Sequence, residues 1–163
     1  MLIIGRKAIY PSQGPCRIDR VVKRVVDGRP VSFYHLTLLD DRGGDLFVPV
    51  DKVKAVGVRL LLKKSEIPKL FAVLEKTTRR TKDVKERVLE NLRTVTSGSA
   101  LDLAEVVKAL TELRHSRALT PGESRTLERS RRLLVWEIAE AMGETKTAAE
   151  EQIDRALSRR KQR

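Results

Sequence analysis

The chain has 163 residues, 40% of them apolar but only 4% aromatic, and 34 Lys and Arg against 22 Asp and Glu give it a formal net charge of +12. That length holds one ordinary domain or two small ones, and the basic excess favours polyanionic partners, nucleic acid before an acidic membrane surface. A lone cysteine, Cys16, excludes an intrachain disulfide and a multi-cysteine zinc site; no basic-then-apolar leader opens the chain, and no run nears the roughly 18 apolar residues of a membrane span, so a cytoplasmic, nucleoid-associated protein with no membrane partner is expected.

The first third reads as β structure. Short apolar or alternating runs (Lys7 to Tyr10, Cys16 to Val26, Val31 to Leu39, Asp45 to Val50) are separated by Pro11-Ser12-Gln13-Gly14, Asp27-Gly28 and Asp40-Asp41-Arg42-Gly43-Gly44. Asp-Gly between β-rich runs signals a hairpin, because the tight turn needs positive φ. In the third run Tyr34, Leu36 and Leu38 share one face, and Phe33, His35 and Thr37 take the other. Four or five short strands in about 60 residues predict a small, strongly bent sheet or barrel.

From Ser65 the period becomes helical. Ser65 is a candidate cap for a helix through Phe71 and Leu74. Thr77 to Asp83 is basic and poor in apolar residues, as an exposed loop or hinge would be. Val84, Val88, Leu92 and Val95 then recur at helical spacing, and Ser97-Gly98-Ser99 breaks the chain. Leu103, Val107 and Leu110 mark the next helix. Thr120-Pro121-Gly122-Glu123 combines a capping box with Pro at the first helical position and predicts a helix to about Met142, stopped by Gly143. Thr147 and Glu150 suggest a further capping box, opening a last helix toward Leu157. The fold class expected is α+β, a small β domain over 1–62 and a compact helical domain over 65–163.

Charge is uneven along the chain. Residues 1–76 carry net +7, residues 77–132 net +5 and residues 133–157 net −4. The helical half thus has a basic front and an acidic back, the asymmetry of a module that meets DNA by one side.

No active site is legible, so no enzyme activity, cofactor, metal or small-molecule substrate is expected. His35 and His115 lack neighbours at metal-ligand spacing. His35, in a strand, is read as structural; His115, in Arg114-His115-Ser116-Arg117, meets phosphate or solvent. Cys16 is expected to pack within its strand. No phosphate-binding glycine loop occurs.

The segment from Gly122 to Met142 is the most informative. At 100° per residue, Leu127, Leu134, Ile138 and Ala141 form a core stripe. Arg125, Arg129, Arg132 and Trp136 gather on the opposite face. Arginines there can neutralise phosphates, and an indole can lie against sugars or enter a minor groove. Trp136 has a second role open to it, burial against another helix or a partner protein.

Tyr10-Pro11-Ser12-Gln13-Gly14, Val48-Pro49, Gly57-Val58-Arg59, Asn91-Leu92, Ser97-Gly98 and Ala104-Glu105-Val106-Val107 occur in an order and spacing that resemble the CarD/CdnL family of bacterial transcription regulators, over essentially the whole chain. The resemblance implies a Tudor-like N-terminal domain, similar to the polymerase-interacting domain of transcription-repair coupling factors, that docks on the β subunit of RNA polymerase. It implies contact through Arg24, Phe47, Val48 and Pro49; physically, an exposed strand edge pairing with a partner strand suits that role. Phe47 as a core residue is the alternative. The resemblance also implies a helical C-terminal domain at the upstream edge of the melted promoter, where a family tryptophan wedges into the minor groove. Here that position is Val84, and two basic family positions are Leu89 and Ser124.

The sequence therefore predicts a regulator that docks on the polymerase β subunit and contacts promoter DNA non-specifically. The expected DNA contacts are Arg80, Lys82, Lys85, Arg87, Arg125, Arg129, Arg132 and Trp136. The alternative is an adaptor that binds polymerase or another factor without touching DNA.

Overall fold

The computed structural model describes residues 2–40, 43–76 and 99–159. The fold is α+β, and the chain divides into two compact units between Leu61 and Leu62.

The first unit is a five-stranded antiparallel sheet: β1 (Lys7–Tyr10), β2 (Gly14–Val26), β3 (Arg29–Leu38), β4 (Asp45–Pro49) and β5 (Arg59–Leu60), in the order β4-β3-β2-β1-β5. The β2–β3 hairpin closes at Asp27-Gly28, both with positive φ (52° and 76°), the conformation that this dipeptide tolerates and most others resist. One face of the sheet forms the core, with Ala8, Cys16, Ile18, Tyr34, Leu36 and Val48 buried in one cluster. Tyr34 and Leu36 alternate inward along β3, as its pattern requires. Register shifts between Ile18 and Arg20, leaving Asp19 as an extra residue in β2. Such a bulge re-aims the side chains around it. After β4, Val50 begins a 3-10 turn (Val50–Lys52), followed by the short α1 (Val53–Val56).

Among the described residues, the second unit is helical: α2 (Ile67–Glu75), α3 (Ala100–Ser116), α4 (Pro121–Met142) and α5 (Lys146–Arg159). Its core joins Leu70 and Leu74 with Leu103, Val107 and Leu110, then Leu134, Ile138 and Ile153. Ser65 is not a cap. It lies in a 3-10 turn (Lys64–Glu66), and Lys63 N–H donates to Glu66 Oε1 at 3.3 Å instead.

Ser99 opens α3 by a capping box with Asp102. Thr120 opens α4 the same way: its Oγ1 accepts from Glu123 N–H at 3.2 Å, and Glu123 Oε1 accepts from Thr120 N–H at 2.9 Å. Gly143 ends α4 at φ 66°. The cap of α5 is Thr145, whose Oγ1 accepts from Ala148 N–H at 3.1 Å; the expected pair Thr147 and Glu150 already lies inside the helix. No helix among the described residues is long and apolar enough to cross a membrane.

Candidate functional site

Among the described residues β4 pairs only with β3, so it is an edge strand. Leu38 N–H donates to Gly44 O at 2.8 Å. In an antiparallel ladder hydrogen-bonded and non-hydrogen-bonded pairs alternate. With the register Tyr34↔Val48, His35↔Phe47, Leu36↔Leu46, Leu46 and Val48 spend their backbone groups on β3. Asp45, Phe47 and Pro49 turn theirs to the open edge. Pro49 offers only its carbonyl.

The same alternation sorts the side chains. Val48 is 1% exposed and belongs to the core, so its side chain is unavailable to a partner and its expected role as a contact does not hold for that side chain. Phe47 points the other way and is 38% exposed, which removes the core alternative for it. Two other side chains contact its ring. The Arg24 guanidinium sits over it, 4.3 Å from the centroid. The imidazole of His35 stacks on it with centroids 5.0 Å apart and planes 25° from parallel. His35 and Phe47 face each other as a non-hydrogen-bonded pair, where opposed side chains approach closest. Arg24 and Phe47, 23 positions apart in the chain, thus meet on one face. His35 and Asp45 were not singled out for this surface by the sequence. Only the β3–β4 register reveals them.

Cys16 is fully buried in β2 and its thiol donates to Ala8 O at 3.5 Å. Burial pushes the thiol up to about 11 from an ordinary value of 9.0, which keeps it protonated and unreactive at neutral pH.

In the helical unit, Arg125, Arg129 and Arg132 are all exposed along α4, and the stripe ends at Trp136, which is partly exposed. Lys146 Nζ lies 4.7 Å from the Trp136 ring centroid and adds a fourth cation. The opposite stripe is buried as expected at Leu127, Leu134 and Ile138; Val135, Glu137 and Ala139 are buried as well, so α4 is covered over a wide arc. Arg131, off the stripe, is committed within the protein, at 2.7 Å from Asp154 and 3.9 Å from Glu150. It lines a cleft of about 340 Å³ with Arg114, His115, Leu127 and Leu157, so His115 lies at a mixed-charge opening. At the N-terminus of α4, Arg117 grips Glu123 with two bonds of 2.9 Å. That grip, with the Thr120 N–H, holds the Glu123 carboxyl down at about 2. Arg80, Lys82, Lys85, Arg87, Val84 and Leu89 lie outside the described residues. Ser124 is exposed in the first turn of α4. Among the described residues no three His, Cys, Asp or Glu side chains form a group that could hold a metal ion.

The surfaces are thus a cation-capped aromatic on an open strand edge, and a row of exposed arginines on a helix. The family model for the CarD-like/TRCF RID domain matches residues 2–61. The model for the CarD C-terminal domain matches residues 69–154. Among solved structures, the chain is similar to the solution NMR structure of the 72-residue N-terminal domain of Myxococcus xanthus CarD, with 33% identity, 37% of this chain and 79% of that one covered, and a TM-score of 0.31.

Proposed function

The chain belongs to the CarD-like family of RNA polymerase-interacting, non-enzymatic transcription regulators, and on that premise we propose that it docks on the polymerase β subunit through the open edge of β4 and reaches promoter DNA through its helical unit. The observation that carries the docking half is Phe47. It is an exposed aromatic on an edge strand, with its own N–H and C=O turned outward. A partner strand gains main-chain hydrogen bonds there and buries its neighbouring side chain against the ring. Arg24, lying on that ring, adds a positive charge beside it.

The DNA half rests on the α4 stripe. Arg125, Arg129 and Arg132 are exposed on one face over about two turns, where they can meet phosphates, contacts that carry no sequence information. Such contacts are non-sequence-specific and weak in isolation. Anchoring to polymerase raises the local concentration at a promoter enough to make a weak grip effective. The test is a gel shift on a forked promoter with and without polymerase. A supershift that depends on both Phe47 and the arginine stripe is expected. Retention of the supershift in a Phe47→Ala chain would remove the docking half, and its retention without the three arginines the DNA half.

A further inference from the structure

The outer face of the sheet carries a polar lattice whose members come from three strands. His35 is its centre. Its Nε2 lies 2.8 Å from Asp45 Oδ1. Its Nδ1 is buried, has no hydrogen-bond partner among the described residues and faces Asp19 Oδ2 at 3.6 Å. Asp19 is the bulged residue of β2, and its carboxylate accepts a hydrogen bond from Thr37 Oγ1. The His35 side chain is only 13% exposed, against 65% for Asp45. The imidazole is therefore gripped at one end by a carboxylate of β4 and faces one from β2 at the other, with its flat face under Phe47.

That arrangement answers a physical problem. A half-exposed phenylalanine on an edge strand has several rotamers open to it, and a partner strand that pairs with its backbone must find the ring in one place. Fixing it beforehand removes an ordering cost from association. The Arg24 guanidinium lies over the ring but arrives on a long, flexible stem. The stacked imidazole is short, and its plane is set by Asp45, itself two residues from Phe47 on the same strand face.

We propose that His35 is the positioning residue of the docking edge: held by Asp45 and backed by Asp19, it fixes the Phe47 ring, and the Arg24 guanidinium on it, in the geometry that a partner strand meets. This rests on β4 being the docking edge. Asp19 takes part because it follows the inward-facing Ile18 and so falls on the outer face beside His35; at the bulge Arg20 takes the register position opposite His35.

The test is a double-mutant cycle read as association of the full chain with the polymerase β subunit. Phe47→Ala, His35→Ala, the double variant and His35→Phe are compared with the parent. His35→Ala weakens association about tenfold, and it has no further effect once Phe47 is gone, because its contribution passes through that ring. His35→Phe keeps the stacking plane, loses the hold on Asp45 and falls between. If His35→Ala unfolds the sheet, His35→Gln, which keeps a donor toward Asp45 but has no ring, is judged by the same criterion. Losses that add in the double variant would overturn the proposal, since a structural defect is indifferent to Phe47. So would parental binding by His35→Ala beside weakened binding by Phe47→Ala. If Phe47→Ala itself binds as the parent does, the docking edge is wrong and His35's role falls with it.

Discussion

The backbone N–H of Leu62 donates to Glu137 Oε2 at 2.9 Å, joining positions 75 apart in the chain. Glu137 is fully buried in α4, and Leu62 is the first residue of the helical unit and packs on its core. A carboxylate is thus used where the chain enters the bundle before any helix can satisfy its backbone. Glu137→Ala removes the acceptor, leaves that N–H unsatisfied and opens a void. It should destabilise the helical unit by about 3 kcal/mol. Glu137→Gln retains an acceptor oxygen and should cost about 1 kcal/mol. Denaturant unfolding followed by helical circular dichroism measures both, and equal losses would show that the charge, not the acceptor, matters.

Phe47→Ala should weaken binding to the polymerase β subunit about tenfold, as loss of an anchoring aromatic does. Because the ring is on the outer face, the melting temperature should fall by no more than a few degrees. Val48→Ala, on the core face, should do the reverse and lower the melting temperature first. Biolayer interferometry beside thermal melts separates the two.

Replacing Arg125, Arg129 and Arg132 together by Ala should leave folding intact and flatten the salt dependence of DNA binding. The slope of log K against log salt should drop by about three units if all three meet phosphates. Fluorescence anisotropy on a short duplex across a salt series reads this directly. An unchanged slope would place the phosphate contacts elsewhere.

Trp136 reports on the same stripe. Partly exposed and capped by Lys146, it should emit at an intermediate wavelength and be quenched more by iodide than by caesium, since the nearby cations draw in the anion. Lys146→Ala should narrow that preference. Blue-shifted emission that neither ion quenches would mean a core indole.

The pair at the start of α4 makes stability depend on acid. Glu123 titrates at about 2 in the folded chain against an ordinary 4.5. Its folded value is depressed, so the stabilisation is complete above about 4.5 and is lost as pH falls through about 2. Glu123→Gln should lower the melting temperature near pH 6, and the gap to the parent should close as pH drops through that window.

Much of this was readable from residues whose conformational demands are local. Asp27-Gly28 announced its hairpin, Thr120-Pro121-Gly122-Glu123 its helix start and Gly143 its stop, because positive φ and reciprocal capping need few neighbours. Thr147 stands out over Thr145 in the sequence because Glu150 lies three residues on, as a capping box requires, whereas Thr145 has Ala148 there and caps through its hydroxyl alone. The division of Phe47 from Val48 depended on register, where one residue exchanges the faces of a strand. The meeting of His35 with Asp19 depended on the pairing register of β2 with β3, which no composition rule marks. Glu137 is not singled out by the sequence; it is buried because α4 is covered over a wider arc than a single stripe.

The strand edges also bear on solubility. β4 has five residues and β5 only two, so neither border of the sheet gives a growing stack much to copy. On β4 the last outward position is Pro49, which has no N–H and ends any added strand. Beyond the reach of β1 and β4 the β2–β3 hairpin runs on as a two-stranded ribbon, where valines are exposed but Lys23, Arg24, Arg29 and Pro30 stand among them. Charges and proline at such borders repel a second copy. An edge left open, as the proposed docking requires, is thereby kept from recruiting a second copy of the chain.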